Sequence, residues 1–254
     1  MKLDGKAAIV TGASSGVGRA TALALAERGC AVLVNYSRSE EAAEEVAASA
    51  REKGVRSFAF RADVSRDAEC RAMVEAAQSE LGRLDVLVNN AGTTDFIPHA
   101  ELEKVTDEVW ERILAVNLKG PFQCARAARA ALRAEGGGQV VNVSSVAGVH
   151  GTGSSIPYCA SKAALNVLTL ILARVLGPEV QVNAVAPGFI DGSWLRQGLG
   201  TAFEAARGLF ASRAPLGRVC TPEDVRDAIL SFLEGSALVT GQVLVVDGGA
   251  GIAA

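Results

Sequence analysis

The sequence predicts an α/β protein in which one doubly wound parallel sheet of about seven strands is covered by helices on both faces. Three observations carry that expectation. Short β-branched runs alternate with longer helical patterns from end to end. The short runs are almost wholly apolar, as strands covered on both faces must be. And 254 residues with 49% hydrophobic and 21% charged side chains suffice for one large core.

In chain order, strands are expected at Ala7–Thr11, Ala31–Asn35, Ser57–Ala62, Leu84–Asn89, Gln139–Ser144, Gln181–Ala186 and Val243–Val246. Glu40–Lys53 and Asp67–Leu81 between them are rich in Ala and Glu, with apolar residues at helical spacing. Asp107–Leu118 carries a stripe of Val109, Trp110, Ile113 and Leu114, and Tyr158–Leu176 reads as a long helix. Thr221-Pro222-Glu223-Asp224 is a helix start, with a hydroxyl N-cap, Pro at the first position and acids near the positive dipole end. Alternation of this kind implies right-handed crossovers. Residues 1–254 are expected to form one domain, without repeat or linker. Only Gly188–Arg218 is poorly patterned, and it is expected to be a mobile lid over a site.

The charges are 25 basic against 28 acidic, a net −3, which argues against an electrostatically driven nucleic-acid binder. Charged residues occupy the N-terminus where a signal peptide needs an apolar run, and no uncharged apolar stretch reaches the roughly 18–20 residues of a bilayer span. A cytoplasmic protein without a membrane partner is expected. Cys30, Cys70, Cys124, Cys159 and Cys220 are scattered, with only His99 and His150 as imidazoles. They are expected to be reduced thiols that fill the core, with no metal site.

The first strand runs into Thr11-Gly12-Ala13-Ser14-Ser15-Gly16-Val17-Gly18 and then a helix. Glycines there let the backbone turn sharply and approach a pyrophosphate at the helix N-terminus. A tight turn alone could use them, but the position at the first strand-to-helix turn favours a nucleotide. Tyr158 and Lys162, four residues apart, share a helix face. A cation so placed is expected to lower the Tyr158 pKa; the plainer alternative is a Tyr at a helix start with a solvated Lys.

Together with Asp63-Val64, Asn89-Asn90-Ala91-Gly92, Asn117, Ser145, Tyr158-Cys159-Ala160-Ser161-Lys162, Pro187-Gly188 and the closing Gly241–Gly249 run, the GxxxGxG turn resembles the short-chain dehydrogenase/reductase family, whose domain is a Rossmann fold. The resemblance spans Lys6 to about Gly249. It implies that Tyr158 donates a proton to a carbonyl oxygen as hydride arrives from a nicotinamide. Ser145, 13 residues earlier, would hold that oxygen, with Ser144 the rival hydroxyl on the opposite face. Lys162 would bind the nicotinamide ribose and tune Tyr158. Asn117 would anchor a water of the proton relay; a structural amide at a kink is its other reading. For the cofactor, the resemblance implies contacts from Gly12, Ser14, Ser15, Gly16, Val17 and Gly18, from Asp63 and Val64 at the adenine, from Asn90, Ala91 and Gly92, and from Pro187, Gly188 and Ile190. Asp63 could instead cap the next helix, and Asn90 close a strand-end turn.

After the second strand the chain reads Asn35-Tyr36-Ser37-Arg38-Ser39, with no acid before Glu40. An acid there would receive an NAD ribose hydroxyl and repel a 2′-phosphate, whereas Arg38 can pair with the phosphate. NADP(H) is therefore expected over NAD(H), at an edge formed by Tyr36, Ser37 and Arg38. One departure from the family run is Gly192, where relatives carry a Thr for the nicotinamide carboxamide. His150, Phe96, Trp194 and Phe210 are either pocket lining or ordinary surface and core. The helices from Asp107 to about Arg133 are expected at a subunit interface, as in the family's tetramers, with a dimer the lesser form. The activity implied is NADPH-dependent reduction of a ketone, as in 3-oxoacyl-[acyl-carrier-protein] reductases. Its rivals are oxidation of an alcohol, sugar or steroid hydroxyl, and a catalytically silent NADP(H) sensor.

Overall fold

In a computed structural model that describes residues 1–134 and 136–252, the apolar runs become seven strands: β1 (Ala7–Val10), β2 (Ala31–Tyr36), β3 (Ser57–Arg61), β4 (Val86–Asn89), β5 (Gly138–Val143), β6 (Val180–Pro187) and β7 (Val243–Val246). All pair in parallel, in the order β3-β2-β1-β4-β5-β6-β7. The order reverses between β1 and β4, which opens a crevice at the carboxyl ends of the strands.

The helices are α1 (Gly16–Ala26), α2 (Glu40–Arg51), α3 (Asp67–Leu81), α4 (Asp107–Leu114), α5 (Gly120–Arg133), α6 (Ala147–His150), α7 (Ile156–Leu176), α8 (Ser193–Leu199), α9 (Phe203–Arg213) and α10 (Pro222–Glu234). Two cores follow from the two faces. One packs Leu25, Val46, Val225 and Ile229 of α1, α2 and α10 against the sheet. The other packs Met73, Leu81, Leu132, Leu172 and Leu176 of α3, α5 and α7 on the opposite face. The expected helix start before α10 is a full capping box, Thr221 and Asp224 each bonding the other's backbone N–H. All five cysteines are buried and free, as core-filling thiols should be.

Two expectations are corrected, and one segment gains detail. The strand β7, apolar like the others, is not covered on both faces: Leu244 and Val245 are exposed at the end of the sheet, although Val246 packs against the core beside α10. Helix Asp107–Leu118 is not continuous; after Leu114 the chain widens into a π-helical segment, Ala115–Lys119, with Asn117 fully buried inside it. The segment Gly188–Arg218 is largely helical, as α8 and α9. Its pattern is faint because these helices rest on one side only, with Phe203 their only buried residue among those described.

Helix α7 is 21 residues long and apolar enough, by length and composition, to cross a bilayer. Its inner face nevertheless packs on the sheet, with Ser161, Lys162 and Thr169 buried there.

Candidate active site

The turn after β1 is held by side chains from three strands. Gly12 has φ +60°, where any side chain would be strained. Its N–H donates to Asn35 Oδ1 at 3.1 Å, and Asn35 Nδ2 donates to the carbonyls of Phe60 and Ala62. Thr11 Oγ1 accepts from the backbone N–H groups of Asn90 and Ala91, while Asn90 Nδ2 donates to the Thr11 and Gly12 carbonyls at 2.8 and 2.9 Å. A Cβ on Gly18 would lie 2.5 Å from both Asn90 Nδ2 and the Gly12 carbonyl. A Cβ on Gly16 would meet open space.

The N-cap Ser15 makes no side-chain cap, so the first-turn N–H groups of α1 are left for an outside acceptor. A rigid turn, an open glycine and uncapped donors fit a dinucleotide pyrophosphate. Asn35 was not foreseen as a site residue. Its signal was a polar side chain inside an otherwise apolar strand.

The remaining residues expected at the cofactor lie around this turn. Asp63 Oδ1 accepts from the Ser65 N–H and hydroxyl in a turn before α3, whose N-cap is Arg66, so it does not cap that helix, and Oδ2 is left for a ligand. Val64 is buried against Gly120, where a Cβ would press its methyl at 2.9 Å. Tyr36 ends β2 near Glu40; burial first, then the Glu40 carboxylate, pushes its pKa up. Ser37 and Arg38 follow on the exposed edge, and no described carboxylate pairs with Arg38. Gly92 stands over the centre of the site: a Cβ on it would lie 3.6 Å from Asn117 Oδ1 and 3.8 Å from Lys162 Nζ.

Ser145 follows β5 and Tyr158 lies in the first turn of α7, whose N-cap Ser155 accepts from the Tyr158 N–H. Burial pushes the Tyr158 phenol up to about 12, against the pull of a hydrogen bond with Ser145. Ser144 faces away, donating to Asn166 Oδ1 at 2.6 Å, which leaves Ser145 as the hydroxyl at Tyr158. Lys162 Nζ sits 5.7 Å from the Tyr158 ring centroid and donates to the Val143 carbonyl at 2.7 Å. Burial brings its pKa down to about 8.

The expectation that Lys162 lowers the Tyr158 pKa is therefore corrected. The ammonium faces the ring and a carbonyl, and burial of both groups dominates. Asn117 also does more structural work than expected: it accepts from Thr93 N, donates to Thr93 O, and donates to Ser161 Oγ.

Over this centre lie two aromatic groups. Trp194 of α8 stands 6.0 Å from the Tyr158 ring and 6.1 Å from Phe96. Gly198, one turn on, lies so close to Phe96 that any Cβ would overlap the ring; nothing in the sequence pattern singled it out. Phe189 packs against both Phe203 and Phe210 of α9, beside a cavity of about 200 Å³ that His150 also lines. A wider, open hollow of about 800 Å³ lies at the β3 edge, far from Tyr158, and gathers no such chemistry. At Gly192 a Cβ would meet only Ile190, at 3.9 Å, so the family's Thr would fit.

The chain as a whole is similar to known proteins. The sequence profile described as enoyl-(acyl carrier protein) reductase matches residues 12–251. A Streptomyces violaceoruber protein, assigned as ketoacyl reductase 2 of granaticin polyketide synthase, is 46% identical over 96% of this chain and 95% of its own. The cis-4-hydroxycyclohexanecarboxylate dehydrogenase of Sinomonas cyclohexanicum is 40% identical over 96% of both chains. A Burkholderia xenovorans crystal structure, assigned to the short-chain dehydrogenase/reductases, superposes with a TM-score of 0.90 at 39% identity, covering 97% of this chain and 98% of that one.

Proposed function

The chain belongs to the short-chain dehydrogenase/reductase family, as an NAD(P)-dependent oxidoreductase acting between ketones and alcohols, and from that premise we propose that it reduces a ketone of the 3-oxoacyl-thioester type with NADPH. The observation that carries this is the placing of the Ser145 hydroxyl beside the Tyr158 phenol, with Lys162 behind the ring, at the carboxyl end of the sheet beside an open glycine turn.

Gly12 through Gly18 hold the pyrophosphate, Asp63 and Val64 the adenine, and Tyr36, Ser37 and Arg38 the 2′-phosphate. Asn90, Ala91, Gly92, Pro187, Gly188 and Ile190 line the rest of the cofactor's path, and Lys162 holds the nicotinamide ribose. Bound NADPH supplies hydride to the carbonyl carbon. Ser145 and Tyr158 grip the carbonyl oxygen, and their two donors stabilise the negative charge that grows there. Tyr158 then passes its proton to that oxygen, and Asn117 anchors a water near Lys162 through which the proton is replaced. A phenol pushed up to about 12 stays protonated at neutral pH, the state reduction requires and oxidation does not. The lid, Gly188–Arg218, excludes water while this happens.

The exposed apolar face of α7 (Val167, Leu170, Ile171, Val175) and Phe122 of α5 support a homo-oligomer, which we take to be a tetramer. The named dehydrogenase relative supports a second reading, oxidation of a secondary alcohol.

Loss of NADPH absorbance with a carbonyl panel that includes acyl-thioesters tests the proposal. Turnover of ketones with NADPH is expected. Cofactor binding with no turnover of any ketone or alcohol would instead make the protein a sensor.

A further inference from the structure

Three rings stand in a row at the reacting centre, and the proton transfer uses only the first. Tyr158 is buried, whereas Trp194 of α8 is 46% exposed and covers it at a centroid distance of 6.0 Å. Phe96 follows at 6.1 Å, its plane steeply tilted to the indole. These are contact distances for tilted rings, so no carbon chain passes between them.

The position of Trp194 is set by Phe96, and Phe96 is fixed. It lies in a loop anchored on either side: Thr93 exchanges two hydrogen bonds with Asn117, Thr94 Oγ1 lies 2.7 Å from Ser154 Oγ, and the Ile97 N–H donates to the Ser154 carbonyl at 2.9 Å. Asp95, next to Phe96 in the chain, pairs with Arg112, so its charge is matched. The Phe96 ring is keyed into α8. Trp194 and Gly198 share one helix face, and a Cβ on Gly198 would lie 1.9 Å from Phe96 Cε2. Only a glycine lets the ring reach the α8 backbone, and the ring in turn holds Trp194 over the phenol.

We propose that Trp194 and Phe96 form the closed end of the substrate site, and that Trp194 sets the upper limit on the length of the ketone's acyl tail. Short-tailed 3-oxoacyl thioesters are then the preferred substrates. The inference rests on the reading of Ser145 and Tyr158 as the reacting centre and of a thioester as the substrate. A ketone held at the Tyr158 hydroxyl extends two ways. The thioester arm carries a group too large to enclose and leads to solvent, which leaves the tail to meet the rings. Each added methylene must then displace a ring already packed against its neighbours.

The test measures kcat/KM with NADPH for the N-acetylcysteamine thioesters of 3-oxobutanoate and 3-oxooctanoate, which differ in tail length alone. Oxidation of 2-butanol and 2-octanol with the oxidised cofactor forms a second series without a thioester. Hydrophobicity by itself favours the longer member of each pair, so a preference for the shorter one reports the wall.

The unmutated protein should use the shorter tail about tenfold better or more, and Trp194→Ala should raise the long-to-short ratio by about tenfold, Trp194→Phe by less. A ratio is insensitive to how much of a variant is folded, and NADPH binding within about twofold of the original checks that the fold is kept. Equal use of both tails by the unmutated protein overturns the inference. So does a ratio that Trp194→Ala leaves unchanged, the result expected if the indole only supports the fold. Turnover of the alcohols without turnover of either thioester would overturn the substrate reading instead, and the size limit would then stand or fall on the ratio of 2-octanol to 2-butanol.

Discussion

The two ends of the active-site crevice are built by opposite means. On the β1–β4 side, the turn proposed to meet the cofactor is fixed by part-buried hydrogen bonds among Thr11, Asn35 and Asn90, and by glycines packed to backbone contact. On the β6 side, α8 and α9 are tied by ring contacts of Trp194, Phe203 and Phe210 and by exposed ion pairs: Arg196 to Asp191 and Glu204, and Arg207 to Glu204. Exposed pairs contribute little and are screened by salt. We infer from the difference that the turn proposed for the dinucleotide is held by a dense hydrogen-bond network, whereas the segment proposed to admit a substrate rests on a few aromatic contacts and screened ion pairs.

The comparison breaks first at Gly18. Leu in its place has no room between the Gly12 carbonyl and Asn90, so Gly18→Leu should weaken NADPH binding more than a hundredfold, read by titration calorimetry. Retained affinity would mean that the turn adapts and is not a fixed cradle.

At the outer edge of the same half, the effect should be smaller and specific. Arg38→Ala should erase most of a roughly 10- to 150-fold preference for NADPH over NADH, with little change for NADH. Tyr36→Asp should reverse the preference. Dissociation constants for both cofactors decide, and an unmutated protein that prefers NADH would reduce Arg38 to a surface residue.

The lid side should respond differently. Gly198→Leu pushes α8 off Phe96 and carries Trp194 away from Tyr158. The substrate KM should rise about tenfold while the cofactor dissociation constant changes less than twofold. A loss of both together would show that the two sides are not independent.

Between the halves lies α7, and there pH sharpens the picture. Unfolded Lys keeps its proton up to about 10.5, whereas buried Lys162 loses it near 8. Between those values the unfolded state binds more protons, so stability rises with pH, by at most ~1.4 kcal/mol per pH unit. Above pH 10 the sign turns, because folded Tyr158 keeps its proton up to about 12 and the unfolded phenol does not. In urea titrations, Lys162→Met should lack the rise between pH 8 and 10 that the unmutated protein shows.

How much of this was legible in the sequence follows the same division. Strand positions and the order of fixed residues were readable because parallel strands write their burial as continuous apolar runs, and because Gly12, Ser145, Tyr158 and Lys162 stand at spacings that few other demands would produce. The helices within Gly188–Arg218 were not readable: α8 and α9 bury too little to leave a helical stripe, and Gly198 matters only through Phe96, a hundred residues away in the chain. The break after Leu114 was hidden because α4 and α5 both carry a helical pattern across it. The pKa of Tyr158 could not be inferred from spacing, because it depends on how deeply the phenol and Lys162 are buried together.

The central claim is that Tyr158 is the acid of ketone reduction. Tyr158→Phe removes only a hydroxyl from the ring, and the measurement is single-turnover reduction of a ketone that the unmutated protein accepts, alongside NADPH binding. The rate should fall by at least three orders of magnitude while the NADPH dissociation constant stays within about threefold. A Phe variant that binds NADPH and reduces the ketone at near its original rate would contradict the account.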